Sequence, residues 1–285
     1  MIDFYTWDGK LVRRLMTSVG VLPTDDGHLY VDHDGRIFET QGGQVGIVAD
    51  WNHLPYPLWA DDGAHICGLT TDSNGMHSLE VVGTHGGVRR YSLNAVGQYP
   101  VLSACSFRSG RVAIQTNLGR ISGGNEASWV IEVLSLRDGT TINTVTWTAE
   151  DRTNILLSRD ARWLARQITR PTGRWVTEVV DLMDGSPKAS YEEVLAAAFS
   201  PDDRLLVVGV GSTETRALDW RTGTVVWSRT THGTYSGLSG VEAISDVATD
   251  KLLVAQHTDN PNAFHTLEFW IVDGEGSARP FYPVP

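Results

Sequence analysis

The amino-acid sequence predicts an all-β fold, a six-bladed β-propeller of four-stranded antiparallel blades, with a seven-bladed ring as the alternative. Two observations carry this expectation. A turn signature recurs six times, each copy leading into an apolar strand: Thr6–Lys10, Ala60–Ala64, Phe107–Arg111, Ser158–Arg162, Ser200–Arg204 and Ala248–Lys251. A second turn follows each one at a distance of about 20 to 30 residues: Asp34-Gly35, Gly86-Gly87, Asp138-Gly139, Asp184-Gly185, Thr222-Gly223 and Asp273-Gly274. Two hairpins per unit of roughly 45 residues is the arithmetic of a propeller blade.

The blades are read in order as 1–44, 45–97, 98–150, 151–193, 194–232 and 233–285, one β-propeller domain over 1–285. Strands are lettered A to D from the axis outward. Strand A candidates are rich in small residues (Leu102–Ser106, Leu195–Ala198, Ala243–Ser245), as expected where strands converge. Strand B candidates are short apolar runs such as Val112–Ile114 and Leu205–Val208. Strand C is the most repetitive element. Trp129–Gly139 matches Trp175–Gly185 position for position, and His77–Gly87 falls in the same register. Glu80, Glu132 and Glu178 therefore share one place, read as a repeated polar position. Ala161–Arg166 and Tyr191–Ala198 have helix-friendly composition, but both lie in register with the repeat and are read as strand.

At 285 residues with 41% hydrophobic content, ten Trp and eight Tyr, the chain can fill one large β core. The net charge of −11 argues against a nucleic-acid partner and against adsorption to anionic membranes. No apolar run approaches the ~18–20 residues that span a bilayer. The start of the chain lacks the basic and apolar regions of a signal peptide, so it reads as cytoplasmic; an exported domain of a longer protein stays open. Cys67 and Cys105 fall in neighbouring blades. One bridge between them stays open, but two buried free thiols is the favoured reading.

The segment Ala198–Val208, followed by Ala217–Gly223, resembles the "FSPDG" turn and "WD" strand end of the WD-repeat-like propeller superfamily. The resemblance covers blade five well and the other repeats weakly. The family's Gly-His pair before strand A is missing from most blades, so its buried His and Asp network does not carry over. The resemblance implies a propeller fold and a habit of binding partners, and it transfers no catalytic residue.

In such propellers the B to C and D to A connections gather at one face. Long loops there are the favoured places for function. The expected partner-binding residues are Trp51, His53 and Tyr56 from the stiff aromatic loop Gln41–Trp59, with Arg120, Arg174, His232, Tyr235 and Asp259. Catalytic and metal signatures are incomplete. Gly233–Gly240 does not place a serine in G-x-S-x-G. Asp32–Gly35 lacks the further acidic ligands of a calcium loop. No metal and no cofactor is expected, and no catalytic residue is named. The favoured function is a non-catalytic module presenting an aromatic and Arg-containing loop face to a protein or peptide. The alternative is an enzyme or small-ligand receptor with its site at the channel mouth.

Overall fold

The computed structural model describes residues 2–5, 10–15, 21–23, 29–32, 36–41, 44–50, 54, 57–84, 86–93, 100–120, 126–150, 155–170, 173–200, 202–211, 214–230, 241–246, 251–257 and 267–281. Every regular element among them is a β-strand, paired antiparallel with its sequence neighbours. A two-stranded sheet joins β1 (Ile2–Tyr5) to β2 (Leu11–Leu15). Six four-stranded meanders follow. The first is β3 (Val21–Pro23), β4 (Leu29–Asp32), β5 (Arg36–Gln41) and β6 (Gln44–Asp50); the second is β7 (Leu58–Trp59), β8 (His65–Thr71), β9 (His77–Gly83) and β10 (Val88–Ser92). The third is β11 (Pro100–Ser106), β12 (Arg111–Arg120), β13 (Glu126–Ser135) and β14 (Thr141–Glu150). The fourth is β15 (Ile155–Leu157), β16 (Trp163–Thr169), β17 (Trp175–Asp181) and β18 (Pro187–Glu192). The fifth is β19 (Val194–Phe199), β20 (Leu205–Val210), β21 (Glu214–Asp219) and β22 (Thr224–Thr230). The sixth is β23 (Val241–Asp246), β24 (Lys251–His257), β25 (Leu267–Asp273) and β26 (Ala278–Pro280).

The strand pairing corrects the expected limits of the first blade. β4 and β5 pair as the second and third strands of a meander, and β5 and β6 as its third and fourth, with Gln41 paired directly to Gln44; Asp34-Gly35 itself lies outside the described residues. The strands of residues 2–15 stand apart as their own sheet. Any Gly-containing two-residue turn between alternating strands signals a hairpin, and local sequence does not say which hairpin of the meander it is. Residue contacts divide the chain into two compact units, 1–6 with 11–147 and 7–10 with 148–285.

Burial follows strand position. The second and third strands are buried on both faces: β9 is buried from Leu79 to Val82 and β20 from Leu205 to Val208. The fourth strands β10, β18 and β22 are mostly exposed or half-exposed. That is why the inner strands read as continuous apolar runs and the outer ones as polar alternation. One apolar cluster joins the second meander to the third, through Leu79, Val81, Leu102, Val112 and Ile114. Another joins the fourth to the fifth, through Trp163, Val179, Ala196, Phe199, Leu206 and Trp220. Trp129 and Trp175 occupy equivalent places opposite Asn117 and Thr169, and both are half-buried.

The first turns of the second to fifth meanders share one geometry. Gly63, Gly110, Ala161 and Asp203 take the left-handed conformation, with φ of 65°, 68°, 56° and 57°. Each donates its N–H to the carbonyl three residues before: Ala60, Phe107, Ser158 and Ser200. This local chemistry is why the signature repeats in sequence.

Cys67 and Cys105 form a disulfide, with Cα atoms 6.4 Å apart. This corrects the reading as two free thiols. The two positions lie on β8 and β11 of adjacent sheets, both buried, so the thiols meet across the seam.

Candidate functional site

The B to C and D to A end of the blades is where the sequence placed function. Of the expected residues, Trp51, His53, Tyr56, His232, Tyr235 and Asp259 lie outside the described residues. Arg120 is the last residue of β12, its Cα opposite Ala127 of β13. Arg174 is exposed, immediately before β17 in the hairpin that joins β16 to β17. That hairpin closes through Arg170 N–H to the Arg174 carbonyl (2.7 Å) and Gly173 N–H to the Arg170 carbonyl (2.8 Å). Arg170 and Arg174 flank Glu192 at 3.9 and 3.6 Å, and Arg170 also donates to Ser190 Oγ at 3.2 Å. These ion pairs are solvent-exposed and weak, so both guanidinium groups remain exchangeable.

The first unit presents apolar surface at the same end of its sheets. Met76 lies in the turn from β8 to β9, Val101 near the start of β11 and Leu118 near the end of β12, exposed by 55%, 58% and 40%. Leu54, from the aromatic loop, is fully buried, its Cδ2 2.9 Å from where a Cβ on Gly68 would stand. One residue of that loop is thus fastened to β8.

The repeated third-strand glutamates behave as structural groups. Glu80 accepts from Arg90 Nε (2.7 Å) and Thr70 Oγ1 (3.3 Å), and Glu178 pairs with Arg166 at 3.0 Å. Burial raises the Glu132 carboxyl above its ordinary range.

Sequence reasoning missed a denser cluster at the opposite, turn-bearing end of the second unit. Trp163 and Trp220 lie 4.7 Å apart in a tilted contact across the seam between the fourth and fifth meanders. The Arg162 guanidinium covers Trp163 at 4.7 Å, and Arg221 covers Trp220 at 4.3 Å and Trp163 at 5.6 Å. Arg162 pairs with Asp181 (3.3 Å) and Arg204 with Asp219 (3.5 Å). The aspartates at the ends of these third strands are therefore held by arginine from the same meander. Trp220 Nε1 donates to the Asp203 carbonyl at 2.6 Å. The signal was present as Trp163 and the Asp219-Trp220 pair, but only packing brings them together. Among the described residues no group of three or more His, Cys, Asp or Glu side chains could hold a metal ion. No helix of these residues is long and apolar enough to cross a membrane.

No protein-family profile matches the chain, and no curated protein does. Solved structures do match, 720 chains in all, so the likeness belongs to a widely shared architecture. One is a chain in a crystal structure of the mitotic checkpoint complex. It has a TM-score of 0.53 and 14% identity, covering 92% of this chain and 77% of that one. A likeness at that identity speaks to architecture. Together with the four-stranded antiparallel meanders, it establishes the fold as a β-propeller.

Proposed function

We propose that this chain is a non-catalytic propeller module that binds a protein or peptide through the B to C and D to A end of its blades. The observation that carries the reading is the exposed set Met76, Val101 and Leu118 at one end of two adjacent sheets. Large apolar side chains left exposed at one end of a sheet suit a partner surface. Within the second unit, the Arg170–Arg174 hairpin presents cations of the kind enriched at interface hot spots. Trp51, His53, Tyr56 and Arg120 are assigned to the binding end of the first unit, and His232, Tyr235 and Asp259 to that of the second. The matched chain belongs to a protein complex, which agrees with an interaction role.

The test is affinity capture from extract of the source cells. Wild type is compared with a Met76→Asp, Leu118→Asp double variant and an Arg170→Ala, Arg174→Ala double variant. Proteins retained by wild type and lost from both variants, at unchanged Tm, are the expected result. An identical retained set on all three baits overturns the reading.

The Cys67–Cys105 bridge favours folding in an oxidising compartment over the cytoplasm expected from the sequence. Alkylation of the denatured protein before reduction tests this. An unmodified Cys67 and Cys105 supports it, and two alkylated thiols oppose it.

A further inference from the structure

The outer edges of the sheets differ in how they are guarded. Among the described residues each fourth strand has a strand neighbour on one side only. Its other side presents backbone N–H and C=O groups that a further strand can pair, and charged side chains, proline or short length ordinarily blunt such an edge. β10 carries Arg89 and Arg90, β18 carries Pro187, Lys188 and Glu192, and β22 carries Arg229. β26 is three residues long with Arg279 and Pro280, and β6 is interrupted by Gly46 and ends on Asp50.

β14 has no such device. It is the longest fourth strand, at ten residues, and its first charge is the terminal Glu150. Four threonines with Ile142, Val145 and Trp147 give it high strand propensity. Pleating puts Ile142, Thr144, Thr146 and Thr148 on one face, and all four are exposed; Val145, on the other face, is buried.

We propose that β14 is the docking edge for a second copy of this chain, the two β14 strands pairing antiparallel about a twofold axis at Thr144. Twofold pairing sets the exposed row against itself. Thr144 faces Thr144 and Ile142 faces Thr146, and β-branched and Thr–Thr pairs across strands are favourable. Charge selects the same occupant. Each chain carries a net −11, so two copies repel except where both surfaces are neutral. β14 is that neutral strip, whereas β10 would set its two arginines against themselves. One strand pair buries less surface than a permanent dimer interface, so the association is reversible and concentration-dependent. It uses none of Met76, Val101 or Leu118, so it and the partner-binding reading stand or fall separately.

Sedimentation equilibrium of the purified chain over a concentration series is the test. Wild type should rise from the monomer mass toward twice that mass, and added salt should strengthen the rise by screening the repulsion. Thr144→Lys places a charge on the axis at an exposed position, so it should keep its Tm and stay monomeric throughout. Should it lower Tm, Thr146→Lys takes its place in the same comparison. Ser228→Lys, at an exposed position of β22, should dimerise as wild type does. Thr144→Cys should form an intermolecular disulfide on oxidation, and Ile142→Cys, displaced from the axis, should not. A wild type that stays monomeric, as it would if the edge receives a strand of another protein, overturns the proposal. A Lys variant that dimerises like wild type at unchanged Tm overturns it too.

Discussion

Two seams between consecutive blades can be compared, one in each compact unit. The seam between the second and third meanders is stapled by Cys67–Cys105 and by His65 stacked on Phe107 at 3.8 Å. Its turn is also capped from outside, because Asp61 accepts from Ser106 Oγ and from the N–H groups of Phe107 and Arg108. The seam between the fourth and fifth meanders has no such crosslink. It relies on Trp163 against Trp220 under two arginines, and its turns are capped from within by Ser158 and Ser200. One device is common to both. The Tyr91 hydroxyl donates to the Leu136 carbonyl at 2.5 Å, and the Tyr191 hydroxyl donates to the Trp220 carbonyl. Both seams thus carry a tyrosine latch from the outer strand, while the interior is covalent in one and aromatic in the other.

The largest way to break this comparison is Trp220→Ala. The indole is almost fully buried, spans the seam and carries Arg221, so its loss should cost about 3–5 kcal/mol in a denaturant titration. Hydrogen exchange should show the damage at the amides of β19 and β20 and spare those of β9 and β12. Equal loss at both seams would show that they do not act separately.

Reducing the disulfide is the matching test in the first unit. Its ends are 38 residues apart in sequence, for which loop-closure entropy gives about 4 kcal/mol and practice about 2–4. Adding reductant should lower Tm in wild type and leave a Cys67→Ala, Cys105→Ala variant unmoved. A wild-type Tm that ignores reductant would remove the staple from the account.

A finer contrast compares two glycines beside the tyrosine latches. A Cβ on Gly139 would stand 2.5 Å from Tyr91 Cδ1, whereas one on Gly223 would stand 3.9 Å from Tyr191 Cε1. Both have positive φ, 74° and 75°, so Ala costs about 1–2 kcal/mol at either site through the backbone alone. Gly139→Ala should add about 1–3 kcal/mol by forcing the latch tyrosine aside. Equal Tm losses for the two variants would show that Tyr91 yields freely.

The smallest effect is expected from Tyr91→Phe and Tyr191→Phe. Each removes one donor to a carbonyl and keeps the ring, for about 1 kcal/mol apiece. The two losses should add in the double variant, since the latches lie at different seams. A non-additive double variant would mean the seams are coupled.

The sequence by itself determined what short-range chemistry controls. Ser-x-Asp and Asp-Gly turns cap their own N–H groups within two to five residues, so they are legible without knowing the fold. The apolar runs Val112–Ile114 and Leu205–Val208 announce strands buried on both faces for the same reason. Only the tertiary structure decided that β4 and β5 are the second and third strands of their meander, because turn chemistry carries no count of strands. It also decided that Cys67 meets Cys105 and that Trp163 meets Trp220. Each of these pairs joins residues about 40 to 60 positions apart. Their meeting depends on how one blade stacks on the next, and stacking is set by the summed burial of whole sheet faces rather than by any local pattern.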